Sequence, residues 1–471
     1  MSEILKIKDL PSPKGQFILG HLNDFKADNK HQVLEDWVKE CGELFKIHFV
    51  GKEFIVSANH DMNNQILKLR PEKFRRFYKL NEIMEEMGIV GVFNTEGEDW
   101  KRHRKPSSEA LNLRKVNGFY PIIANKTEIL LEKWKSLALK NQCINVQQEL
   151  MKYTVDITTT IAFGYNLDTI NDKSDSLQQH LERIFPMINE RITAPIPIWR
   201  FYKRNKDKEL ESSLKTIEAL VLEFIQKAKD RLTTNPALRE NPSNFLEALL
   251  VEKENASHFS DKEIYGNVFT ILLAGEDTTS NSISWVLYYL AQHPEMVNKI
   301  REEAIATFDN NSIPQNHQDL KKLKYTNAVI QETLRLKPVT PNLYMQANEE
   351  LIINNFLIPK DTTIMLQNKV AHTQEKHFYK PNTFLPERWL ASNKCPISAN
   401  HSPEVIKTFG AGSRFCPGKN LAMHEMLTAI SSICKEFDFT LGVHKNDVTE
   451  KFSFTMFPEN LLIKFSSISS K

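Results

Sequence analysis

Between about residues 97 and 340 the apolar positions recur at three- and four-residue spacing, the period of amphipathic helices. On either side they fall in short β-branched or aromatic stretches. Leu44–Val50 and Phe54–Ser57 read as strands, with Gly51-Lys52 as the turn of a hairpin. Strand signals return at Glu350–Ile358 and Thr363–Gln367, and again at Phe452–Phe457 and Leu461–Phe465. The pattern predicts a mainly α chain with a smaller β region built from both ends. No repeat, low-complexity tract or Gly/Ser-rich linker marks a domain boundary.

One predicted helix stands apart. Ser260-Asp261-Lys262-Glu263 is a capping box, in which the Ser260 hydroxyl and the Glu263 carboxylate satisfy each other's backbone N–H groups. An apolar pattern then runs to about His293, where Pro294 stops it. That is roughly 33 residues, or ~50 Å, long enough to cross a whole domain. In its middle stands Ala274-Gly275-Glu276-Asp277-Thr278-Thr279. Glycine costs about 1 kcal/mol against alanine in a helix interior, and acids among apolar turns add a desolvation cost. Stability does not explain the insert. A kink with a solvated patch is the bland alternative.

Phe409-Gly410-Ala411-Gly412-Ser413-Arg414-Phe415-Cys416-Pro417-Gly418 is a glycine-rich loop leading into a helix that begins near Lys419. Its amides can point at a sulfur, Arg414 can lower a thiol pKa or bind a carboxylate, and the helix N-terminus favours a thiolate. Three rivals are open. A dinucleotide fingerprint would need glycine at Phe415. A nucleophilic cysteine would need a partner among His372, His401 and His424. A lone buried structural cysteine is the plainest account of Cys416. Two weaker patterns flank the loop motif. Glu332 and Arg335 share a helical face, with Arg388 of Pro386-Glu387-Arg388-Trp389 downstream; surface bridges of this kind are worth under ~1 kcal/mol. Trp100 and Arg104 also share a face and can both donate to a carboxylate, although an ordinary basic surface helix reads the same way.

Composition narrows the field. Net charge is +2 over 471 residues, with 25% charged and 41% hydrophobic positions, which suits a globular protein and gives no ground for a nucleic-acid partner. The five cysteines (41, 143, 395, 416 and 434) are odd in number and widely spaced, unlike a disulfide framework. The N-terminal stretch is broken by charges and prolines, and no run approaches the ~20 apolar residues of a transmembrane helix. A soluble, cytoplasmic protein is expected.

Together these motifs resemble the cytochrome P450 family. Residues 409–418 match the fixed positions of its haem-binding signature. Ala274–Thr279 matches its oxygen-groove motif, Glu332 and Arg335 its Glu-x-x-Arg, 386–389 its Pro-Glu-Arg-aromatic motif, and Trp100 and Arg104 its Trp-x-x-x-Arg, all in the family's order. The resemblance implies a single haem domain over 1–471, mainly α with a smaller β region and with the haem between two long helices. It implies a monooxygenase that takes O2, haem b (iron protoporphyrin IX) and electrons from NAD(P)H through a separate reductase or ferredoxin. Cys416 would be the iron ligand, an axial thiolate that favours O–O cleavage. Trp100, Arg104 and Arg414 would hold the propionates, and Phe409 would pack near the sulfur. Ala274 and Gly275 would leave room for dioxygen, and Asp277 and Thr278 look like the acid–alcohol pair that moves protons. Glu276 takes a variable position and is given no role. Glu332, Arg335 and Arg388 look structural.

The resemblance also shapes substrate and partners. Many relatives carry a propionate arginine in the strand after the Glu-x-x-Arg helix; here Pro338–Met345 holds none. The soluble bacterial fatty-acid hydroxylases of the family lack it too, which suggests a fatty-acid-like substrate, although their carboxylate-binding pair is matched only by Lys52, with Val56 in place of the tyrosine. A small hydrophobic substrate is expected, lined by Gly91-Val92-Phe93, Phe185–Tyr202 and Val339–Leu343, with Phe185–Tyr202 an access lid or a packed loop. Lys101, Arg102, Lys105, Lys407 and Lys419 would form a docking face for the electron-transfer partner. A peroxide-driven hydroxylase, a hydroperoxide isomerase or lyase, and a haem sensor or carrier are the competing functions.

Overall fold

The computed structural model describes residues 4–25, 29–171, 176–256, 259–390 and 401–468; Cys395 lies outside them. Helices dominate, as the hydrophobic pattern predicts, and the largest sheet has five strands. Its order is Leu44–Phe49, Lys52–Ser57, Thr363–Gln367, Asn342–Ala347 and Phe74–Arg76, so it joins the first 80 residues to the segment after residue 340. A second sheet joins Cys143–Asn145 to Leu462–Ser467 and Phe437–Leu441. The described cysteines 41, 143, 416 and 434 are free thiols. No helix among the described residues is long and apolar enough to cross a membrane.

Three expected strands or turns differ. The first hairpin turns on Val50-Gly51, not Gly51-Lys52, with both residues at positive φ (47° and 78°). The two-residue turn demands this backbone even of a β-branched valine. Glu350–Ile358 is two strands, Leu351–Ile353 and Phe356–Ile358, because Asn354 and Asn355 accept left-handed φ. Phe452–Phe457 is also not one strand. It is the tip of a hairpin, Thr449–Ser453 paired with Thr455–Glu459, reversing at Phe454 with φ 84°.

The long helix runs from Asp261 to Leu290, with the Ser260–Glu263 capping box formed. It ends three residues before the expected His293. Pro294 opens the next helix, Pro294–Phe308, because its missing N–H costs nothing at the first helical position. The helix serves two cores in turn. Ile264, Val268, Phe269 and Leu272 pack in one, and Ile283, Val286, Leu287 and Leu290 in the other. The polar insert Ala274–Ser282 spans the step between them. There the helix Val146–Phe163 comes so close that a Cβ on Gly275 would lie 2.2 Å from the Thr158 hydroxyl. A side chain at position 275 would collide with this neighbouring helix, so the close packing requires glycine there.

Candidate active site

The loop before the helix Lys419–Glu436 presents the thiol. The Cys416 amide donates to the Phe409 carbonyl at 2.9 Å, which closes the loop, and Gly410 and Gly412 take the positive φ values it needs (74° and 69°). Burial pushes the Cys416 thiol up, while the amides of Gly418 and Lys419 and the Arg104 guanidinium pull it down. Arg104 folds onto this loop, with Nη2 donating to the Phe415 carbonyl at 2.8 Å and its guanidinium over the Phe415 ring. Phe409 is half-buried, and the Lys419 ammonium lies 5.8 Å from its ring centroid.

Beside the loop lies an arginine cradle that the motifs disclose only in part. Arg414 sits over the buried Trp100 indole, 4.7 Å from the ring centroid. Its Nη2 donates to the Thr95 carbonyl and lies 2.8 Å from Glu96, but its Nε and Nη1 are buried without a hydrogen-bond partner. Arg70 approaches the same carboxylate only to 3.8 Å, too far for a hydrogen bond, and its Nε and Nη2 are likewise orphaned. Arg76 donates from Nε to the Phe93 carbonyl at 2.7 Å and covers the Phe93 ring. Three guanidiniums thus surround one carboxylate. Burial, against the pull of Glu96, brings Arg414 down to about 9, and Arg70 adds to the shift; burial and the other two arginines depress Arg76. Arg76 also answers the missing strand arginine, since it lies on the edge strand paired with Asn342–Ala347, opposite Met345.

On the long helix, Ala274 is exposed between buried Leu273 and half-buried Gly275, so space opens against its methyl. The half-buried Thr278 hydroxyl donates to the Ala274 carbonyl at 3.0 Å. Asp277 does not touch Thr278. It is buried and turned aside, accepting from Asn281 Nδ2 at 3.0 Å and from the Thr455 hydroxyl of the C-terminal hairpin. Burial raises its carboxyl to about 6, although both donors oppose the shift. Against the alternative of a solvated patch, Glu276 is 1% exposed. Phe454 at the hairpin tip stacks on Phe185 (4.8 Å, 5° between planes) and meets Phe93 edge-on at 6.0 Å. Phe185 thus belongs to the helix Ile184–Thr193, packed inward, while Phe201 and Tyr202 are exposed.

Glu332, Arg335 and Arg388 come together as expected. Arg335 grips both Glu332 oxygens at 2.9 and 2.7 Å, and Arg388 and the Trp389 indole add bonds of 3.0 Å each. Of the expected docking cations, Lys101, Lys105 and Lys419 are exposed and Lys407 is half-buried. Arg102 is half-buried and paired with Glu263 and Asp99.

The family model for cytochrome P450 matches residues 10–465. Cytochrome P450 3A12 of Canis lupus familiaris is 28% identical over 382 residues, covering 75% of this chain and 71% of that protein. Cytochrome P450 3A6 of Oryctolagus cuniculus is 28% identical, covering 86% and 80%, and cytochrome P450 3A11 of Mus musculus is 26% identical, covering 93% and 86%. The chain belongs to the cytochrome P450 family and is a haem-thiolate monooxygenase.

Proposed function

We propose that the protein inserts one oxygen atom from O2 into a hydrophobic organic substrate, with one haem domain spanning 1–471. Haem b would be the cofactor, and electrons would come from NAD(P)H through a separate reductase or ferredoxin. The residues fit such a planar dianion. Four guanidinium nitrogens of Arg70 and Arg414 are buried without a partner beside the thiol loop, an arrangement that is costly unless anions complete it. This observation carries the reading.

Haem iron, when bound, supplies the activation of dioxygen. Cys416 would hold it through sulfur, and the Gly418 and Lys419 amides would steady the negative charge. Arg70, Arg76, Arg414 and Trp100 would hold the propionates, with Arg104 between them and the thiol loop. Thr278 presents a hydroxyl beside the opening at Ala274, and Asp277, held near 6, can take and give a proton close to neutral pH. Phe93, Phe185 and Phe454 would wall the substrate side and exclude water. Val56 is fully buried and leaves Lys52 no partner there for binding a fatty carboxylate, so the substrate is taken only as a hydrophobic organic molecule. Lys101, Lys105 and Lys419 would meet the electron donor.

The test is the carbon monoxide difference spectrum of the dithionite-reduced protein and of Cys416→His. The long-wavelength thiolate band is expected in the first and not in the second. Its absence from the haem-loaded wild type would overturn Cys416 as the ligand.

A further inference from the structure

Behind the polar insert of the long helix lies a cavity of about 660 Å³. It is lined by Phe25, Asn189, Glu190, Glu182, Glu276 and Asp277 among others. A single water needs only ~10–15 Å³ by this measure, so the cavity has room for a chain of waters. Glu276 is 1% exposed and, among the described residues, makes no ion pair. Its carboxyl accepts from Gln178 Nε2 at 3.4 Å, and the same amide nitrogen donates to Glu182 at 3.1 Å. Gln178 thus bridges a half-buried carboxylate and a fully buried one. Asp277, the next residue of the helix, opens on the same cavity.

We infer that Glu276 is a proton-carrying residue that feeds Asp277 from the cavity, with Glu182 as the group that reloads it. The inference rests on the proposed role of Asp277. The Glu276 carboxyl releases its proton to water in the cavity, that water passes a proton to the Asp277 carboxylate, and Glu276 takes a replacement from the Glu182 side. No electron moves and no bond other than O–H changes. The electrostatics agree. Burial raises the Glu276 carboxyl well above its ordinary value, with Asp277 and Glu182 adding to the rise and Gln178 opposing it. Burial therefore favours the proton-carrying form of Glu276.

The charged groups that face it are Asp277 on its own helix and Glu182 on the helix Ser176–Leu181 and its following turn. The helix Val146–Phe163 contributes a neutral hydroxyl, from Thr154, to its backbone carbonyl. Lys30, Lys451 and Glu190 also line the cavity. Lys30 is bound there to Asn189, and Lys451 to Glu459 at 2.8 Å.

Glu276→Gln keeps the shape of the side chain and removes the proton. Infrared absorption of the resting holoenzyme is expected to show a protonated-carboxyl band at neutral pH that Glu276→Gln deletes and Glu182→Gln retains. With electrons from a photoreduced flavin, the share of consumed O2 released as hydrogen peroxide is expected to rise about fivefold in Glu276→Gln, less than the ~100-fold or more lost with a direct acid–base group. The solvent isotope effect on O2 consumption should grow with it, and Glu276→Asp should restore both in part. A purely structural role would not move the isotope effect. If the band is missing in the wild type, or if peroxide share and isotope effect are unchanged in Glu276→Gln, the inference is wrong. If Asp277→Asn also leaves both unchanged, the fault lies in the role of Asp277, and the inference falls with it.

Discussion

Two buried arginine–glutamate clusters in this protein look alike in composition and differ in completion. In the first, Arg335 and Arg388 share Glu332; in the second, Arg70, Arg76 and Arg414 surround Glu96. Both carry more cations than carboxylates, by one in the first and by two in the second, so an excess of positive charge alone does not set them apart. The first cluster spends every remaining donor on backbone carbonyls: those of His372, Pro381 and Thr383 for Arg335, and of Tyr379 and Lys380 for Arg388. The second leaves four guanidinium nitrogens of Arg70 and Arg414 buried without a hydrogen bond. A saturated ionic cluster ties segments of chain together, whereas an unsaturated one is shaped for something brought from outside.

The comparison predicts where mutations will be felt. Glu332→Ala strands two guanidiniums with no exposure to water, and breaking a buried pair costs ~3–5 kcal/mol. Urea unfolding should show that loss equally in the haem-loaded and the haem-free protein. An intact midpoint in the haem-free protein would mean that the first cluster also waits for the cofactor. Arg414→Met should separate the two states instead. Its guanidinium is held at a disadvantage in the haem-free protein, so removing it should leave that form as stable or slightly more so. Haem affinity should fall by roughly 10- to 100-fold, ~1–3 kcal/mol for charge-assisted hydrogen bonds. Transfer of haem to an apo-globin acceptor measures it. A loss of stability in both states would make the second cluster structural like the first.

The sequence discloses these clusters unequally for a physical reason. Glu332 and Arg335 lie one helical turn apart, and the 409–418 loop is contiguous, so local spacing alone exposes both. Arg70 and Arg76 are near each other in the chain but far from Arg414. Only the pairing of Arg76 with Met345 across two strands sets it beside the segment that lacks an arginine, and no local pattern carries that register. Phe454 escaped for another reason. Alternating Phe452, Phe454 and Met456 reads as one strand, and the reversal at φ 84° has no glycine or asparagine to mark it. Glu276 falls at a variable position of the motif, and its contact with Gln178, about a hundred residues away, leaves no trace in local spacing. The close approach of Thr158 to Gly275 is equally illegible, because spacing gives a face and not the neighbour on it.

The smallest expected effect is also the most discriminating. Among the described residues, Glu96 is the single carboxylate in direct contact with the second cluster: it accepts the Arg76 amide at 2.9 Å and pairs with Arg414 at 2.8 Å. Glu96→Gln keeps an acceptor for the amide and removes the charge. In the haem-free protein three guanidiniums then face one another without a counter-ion, and stability should drop by about 1 kcal/mol, within the range for a partly exposed pair. In the haem-loaded protein two propionates would replace the lost charge, so the drop should be smaller and the gap between the two states should widen. Haem affinity therefore rises in Glu96→Gln while it falls in Arg414→Met. Opposite signs at two residues 2.8 Å apart follow if the cluster is an anion site that Glu96 partly fills. If both variants weaken haem binding, Glu96 is instead a positioning residue that aims Arg414, and the cluster is closer to the saturated one than its orphaned nitrogens suggest.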